Sequence, residues 1–157
     1  MNRPRSTIEP IAMRPFEASL PMALLQARET AMRLFRPLLA EHDLTEQQWR
    51  VLRALAAGDE AQDVGALAHH TFLLAPSLSR ILTNLEGRGL IARTTAENDQ
   101  RRSLIELAPS GRTLVARVAP TSEATYNRIE ERFGTDRLAR LLGELHDLAA
   151  LDIEERS

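Results

Sequence analysis

The stretch DVGALAHHTFLLAPSLSRILTNLEGRGLIARTTAENDQRRSLIEL, Asp63 to Leu107, decides how the chain folds. Its first half is written in the period of a helix and its second in the period of a strand. Asp63 is placed to cap a short helix running through His70, its carboxylate accepting from amides left unpaired at a helix start. After a brief turn, Pro76 falls in the first turn of a second helix, where a missing N–H costs nothing. Leu78, Ile81, Leu82 and Leu85 form the apolar stripe of that helix, and Gly89 after Arg88 stops it. Beyond Gly89, Leu90 to Thr95 and Arg102 to Leu107 read as two strands around a polar tip, Ala96 to Arg101. In the second run Leu104 faces opposite to Ser103 and Ile105. Two short helices, a tight turn and a hairpin with a charged tip follow the order of a winged helix-turn-helix, whose second motif helix enters the major groove of DNA.

The flanks are helical. Thr45 and Gln48 make a capping box that opens a helix with Trp49, Leu52 and Leu55 on one face, ended by Gly58. Further upstream, Ser19 and Pro21 start a long amphipathic helix with Leu20, Leu24, Ala27, Ala31, Leu34, Phe35 and Leu38 on one side; Pro37 is expected to bend or end it. Downstream, Pro109 opens a helix carrying Leu114, Val115 and Val118, which Pro120 should kink or split. Thr135 is expected to cap a last helix with Leu138, Leu141, Leu142, Leu145 and Leu148. The fold class is therefore mainly α with a small β-hairpin wing. Residues 44–108 form the winged helix-turn-helix lobe, residues 19–43 and 109–153 supply dimerisation helices, and residues 1–18, with Pro4, Pro10 and Pro15, read as a flexible arm. Two leucine stripes far from the motif need a partner surface, so the whole is expected to be one intertwined domain.

A length of 157 residues suits one domain, and no apolar run is long enough to span a membrane. The N-terminus has no apolar core of a signal peptide, which predicts a cytoplasmic protein. Cysteine is absent, so disulfides and thiolate chemistry are excluded. No cofactor or metal is expected: His69 and His70 are adjacent and would point about 100° apart on a helix, and His42 and His146 are isolated. Nor is there a nucleophile with its base, a carboxylate pair or a glycine-rich phosphate loop, so the chain is not read as an enzyme. The net charge of -2 hides a polarity, with six Arg against four acids between Pro76 and Arg112 and five Arg against nine acids from Pro120 onward.

Ser77, Ser79, Arg80, Thr83 and Asn84 lie off the apolar stripe of the second motif helix, and with Pro76 at its start they are the candidates for phosphate and base-edge contacts. The plainer alternative is a solvated helix face; the hairpin that follows favours the functional reading. At the hairpin tip, Asp99 precedes Arg101 by two residues and can orient its guanidinium, which with Arg102 suits a narrow minor groove. For an acidic small molecule, Arg28 or Arg53 could hold a carboxylate above Trp49, although a single Trp on an apolar helix face is more often core.

Leu44 to Trp49 (LTEQQW), Pro76 to Leu90 (PSLSRILTNLEGRGL), Asn98 to Arg102 (NDQRR) and Leu107 to Gly111 (LAPSG) together resemble the MarR family of transcription regulators. Within it, LLQARETAMRLFRPLL and LTEQQWRVLR are most similar to repressors of homoprotocatechuate-degradation operons. The resemblance covers about residues 20–150 and implies a homodimer with interlocking terminal helices, a palindromic duplex DNA operator, and repression relieved by a small aromatic or phenolic acid. Two positions depart from the pattern: Ala108 replaces a capping Thr, and Pro120 interrupts a long dimer helix. The rival reading is a winged-helix protein-interaction module without DNA binding.

Overall fold

The computed structural model describes residues 12–58, 60–96 and 99–151, with the backbone alone at Ala96 and from Asp99 to Arg102. These residues belong to two compact units, Met1–Arg33 and Leu34–Ser157. The first holds a 3-10 turn, Phe16–Ala18, and the beginning of helix α1, Leu20–Ala40. The second holds the end of α1 and then α2 (Glu46–Ala57), β1 (Gln62–Asp63), α3 (Val64–Thr71), α4 (Ala75–Gly87), β2 (Ile91–Ala96), β3 (Asp99–Leu107), α5 (Pro109–Phe133) and α6 (Thr135–Ala149).

Local chemistry explains most boundaries. The Thr45 hydroxyl accepts from the Gln48 amide while the Gln48 side chain accepts from the Thr45 amide, completing the expected capping box. Asp63 caps α3 by accepting from the Ala66 amide at 2.8 Å. Gly89 leaves α4 with φ +68, a conformation glycine adopts without steric cost.

The core of the second unit gathers Leu39, Val51, Leu52, Leu67, Leu78, Leu82, Leu85, Ile105 and Val118, all essentially inaccessible to water. One leucine stripe of α4 thus packs inward together with alternate residues of β3, leaving the opposite faces of both elements to solvent. Ile105 and Leu107 face the core and Glu106 is exposed.

Several expectations need correction. The hairpin is part of a three-stranded antiparallel sheet in the order β1-β3-β2, because Gln62 and Asp63 pair with Ile105 and Leu104. The second strand of the hairpin starts at Asp99 rather than Arg102, with Ala96 paired to Asp99 across a register shift. Backbone pairing is indifferent to the polarity that marked these residues as tip. α1 continues through Pro37 to Ala40, and α5 runs unsplit from Pro109 to Phe133 through Pro120. A proline deletes one helical bond, and burial of Phe35, Leu38 and Leu39 in α1 and of Val118, Ser122 and Thr125 in α5 keeps each helix docked on both sides of its proline. Thr135 is the first residue of α6, not its cap; Gly134, at φ +97, ends α5 and begins α6. Ala108 offers α5 no side-chain cap.

Candidate nucleic-acid interface

α4 separates its two faces cleanly. Leu78, Leu82 and Leu85 are buried, whereas Pro76, Ser77, Ser79, Arg80, Thr83 and Asn84 are exposed. α4 therefore brings together the six candidate residues of the motif helix. Pro76 sits in the first turn, as the missing N–H allows. Thr83 donates its hydroxyl proton to the Ser79 carbonyl at 3.0 Å, which leaves it an acceptor toward any ligand. Asn84 accepts at its Oδ1 from Gln48 Nε2, 2.8 Å away on α2.

The turn that aims α4 is held from below. Arg50 of α2 donates to the carbonyl of Thr71, the last residue of α3, at 2.9 Å. It also pairs with Glu46 at 3.1 Å, and Glu46 meets Arg36 of α1 at 3.4 Å. Each such ion pair is worth under about 1 kcal/mol, so their effect is on geometry rather than stability. Phe72 leaves α3 in the left-handed conformation, φ 51, and is exposed.

The wing is anchored where it meets α5. The Ala108 amide donates to the Leu90 carbonyl at 3.1 Å, and the Ser110 hydroxyl donates to the carbonyl of Gly89. Gly111 is buried against Leu90, leaving no room for a Cβ. These contacts fix the base of the ribbon that carries Asp99, Arg101 and Arg102. The backbone of those three residues is strand, and their side chains, like Asn98, lie outside the described residues.

The candidate ligand residues are distributed differently. Trp49 is core, 7% exposed. Arg53, one turn further along α2, donates to the Tyr126 hydroxyl of α5 at 2.9 Å and lies 5.8 Å from that ring's centroid. The Phe35 ring packs at 4.8 Å on the same tyrosine. Arg28 belongs to the other compact unit, where it pairs with Glu29 at 3.0 Å. Arg53, Tyr126 and Phe35 thus make one cationic and aromatic cluster. Tyr126 escaped the sequence reading because 73 residues separate it from Arg53, and its only visible signal was being the sole tyrosine. Gln48 was read as a cap, with nothing to reveal its second partner 36 residues away.

Comparison with known proteins gives this geometry its context. A family model described as the MarR family matches residues 42–102, the span from the turn before α2 into the second strand of the wing. The homoprotocatechuate degradative operon repressor of Escherichia coli is 43% identical over 133 residues, covering 85% of this chain and 89% of the relative. The chain belongs to the MarR family. Two solved MarR-like structures extend the match to three dimensions. NadR in complex with 4-hydroxyphenylacetate has a TM-score of 0.78 at 37% identity, covering 89% of this chain and 99% of NadR. The transcriptional repressor CouR bound to a 23-mer DNA duplex has a TM-score of 0.78 at 30% identity, covering 85% of this chain and 94% of CouR. In this MarR-family chain, α3 and α4 are the helix-turn-helix and β2 and β3 the wing. Among the described residues no helix is long and apolar enough to cross a membrane.

Proposed function

We infer that this protein is a homodimeric transcriptional repressor of an aromatic-compound catabolism operon, released from its operator by a small phenolic or aromatic acid. The observation that carries the DNA-binding part is α4 itself: a helix locked down by three buried leucines, presenting two serines, an arginine, a threonine and an asparagine to solvent beside an anchored ribbon. A helix of that shape fits a major groove, with Pro76, Ser77, Ser79, Arg80, Thr83 and Asn84 at the phosphates and base edges. Asp99, Arg101 and Arg102 are assigned to the flanking minor groove, where negative potential is deepest.

The apolar side chains left exposed on the terminal helices support the homodimer. Leu20, Leu24 and Leu25 of α1, Leu141 and Leu142 of α6, and Phe133 at the end of α5 would be covered by a second copy. Two-fold symmetry presents two α4 helices to a palindrome about one DNA turn, roughly 34 Å, apart. The protein works in the cytoplasm, with its DNA.

The acid-binding part rests on the Arg53, Tyr126 and Phe35 cluster together with the names of the relatives. A guanidinium and a phenol suit a carboxylate, and aromatic edges suit the ring it belongs to. Trp49, one turn before Arg53 on α2, remains a candidate from the core, and Arg28, in the other compact unit, is a separate candidate cation.

The test is binding to a labelled duplex from upstream of the protein's own gene at two salt concentrations, followed by titration of 4-hydroxyphenylacetate. A DNA reader should lose affinity steeply with salt, and the acid should release the duplex. Absent or salt-independent binding would instead favour a protein-interaction module. Binding that ignores phenolic acids would overturn the effector.

A further inference from the structure

Gln48 holds two groups at once. Its Oε1 accepts the backbone N–H of Thr45 at 2.9 Å, and its Nε2 donates to Asn84 Oδ1 at 2.8 Å. A backbone amide can only donate, so the Gln48 carboxamide has one permitted orientation, with its nitrogen toward α4. The orientation of Asn84 follows: its oxygen is spent on Gln48, and its NH₂ group is the end turned away from that contact, on an exposed residue.

We propose that Gln48 is a positioning residue for DNA binding, holding Asn84 by its oxygen so that the Asn84 amide nitrogen donates to a backbone phosphate of the bound duplex. The proposal rests on the reading of the chain as a DNA-binding regulator. Two considerations select the phosphate. An Asn reading adenine presents its oxygen and its nitrogen together to the base edge, and here the oxygen is turned toward Gln48 on α2 instead. Asn84 also lies in the third turn of α4, about 13 Å along the helix from Ala75, whereas base edges are reached from the first turns of a recognition helix. An oriented neutral donor near the far end of α4 would set the register of the helix on the duplex rather than read sequence.

Gln48→Glu isolates the effect. Glutamate at this position of a capping box still accepts from the Thr45 amide, so α2 keeps its start. Toward Asn84 it offers an oxygen in place of the NH₂ donor, which turns the asparagine around and points its oxygen at the phosphate. In fluorescence-anisotropy titrations of the full-length dimer with the promoter duplex, Gln48→Glu and Asn84→Ala should each weaken binding about three- to tenfold, with unchanged dimer mass and melting temperature. The double variant should bind like Asn84→Ala alone. The loss should be equal on duplexes of unrelated sequence, and in Asn84→Ala the dependence of log K on log salt should keep its slope, because a neutral amide displaces no counterion.

Wild-type affinity in Gln48→Glu overturns the proposal while leaving the DNA-binding reading intact. The full loss persisting in the Asn84→Ala background overturns it too, since it would report added negative charge and not orientation. A penalty confined to one base pair would overturn the phosphate assignment. Failure of the wild-type protein to bind any duplex would sink the functional reading itself.

Discussion

At Gly111 the chain cannot carry even a methyl group. An added Cβ would overlap the carbonyl oxygen of Leu90 and come within 3.3 Å of a Leu107 methyl. That same carbonyl accepts from Ala108, so it cannot move aside without losing a bond at the base of the wing. Gly111→Ala should therefore destabilise the fold by about 2–3 kcal/mol, visible as a lower urea midpoint with an unchanged slope. A wild-type midpoint would mean that the wing base is looser than this packing. The reason for a glycine here was invisible in the sequence, where Gly111 was only one letter of a resembling motif; the constraint comes from a backbone atom 21 residues earlier. Asp63 and Thr45 are the opposite case, because a cap and its partner amide lie within three residues of each other.

At the scale of elements, α5 shows how packing overrides a local signal. Pro120 lacks the N–H that would bond one turn back, to Ala116, yet the helix continues for a further three turns and more, to Phe133. Val118, Ser122 and Thr125 are buried on both sides of the proline and dock both halves of the helix. Pro120→Ala should restore the missing bond and stabilise the protein by about 1–2 kcal/mol, measured by thermal or urea unfolding. A loss of stability would show that the proline ring itself is part of the surrounding packing. The short strand β1 carries the same lesson in reverse. Two residues hold no periodicity, and Gln62 and Asp63 became a strand only because β3 offered them an open edge. The leucine stripe of α4 was legible because four apolar residues at helical spacing determine a buried face wherever the helix docks.

For the molecule as a whole, the deciding fact is apolar surface without cover. Leu141 and Leu142 of α6 are 41% and 47% exposed, in a helix that buries none of its residues within the chain. The proposed dimer would supply the missing cover. Leu141→Glu together with Leu142→Glu should give a folded monomer by light scattering, with operator affinity lower by at least roughly tenfold because each half-site is then bound independently. A dimer of undiminished affinity would place the contact elsewhere.

What the amino-acid sequence determined by itself was whatever depends on neighbours a few residues apart. The order of the helices and the two hairpin strands, the capping box at Thr45, the cap at Asp63, the stop at Gly89 and the division of α4 into a buried and an exposed face all follow from spacing. Tertiary structure alone decided which residues from distant segments meet: Gln48 with Asn84, Arg53 with Tyr126, Arg50 with the end of α3, and Gly111 with Leu90. The physical reason is that periodicity records which side of an element is apolar, while a polar contact between elements depends on the rotation and depth at which they pack, and these are settled only when the shared core closes.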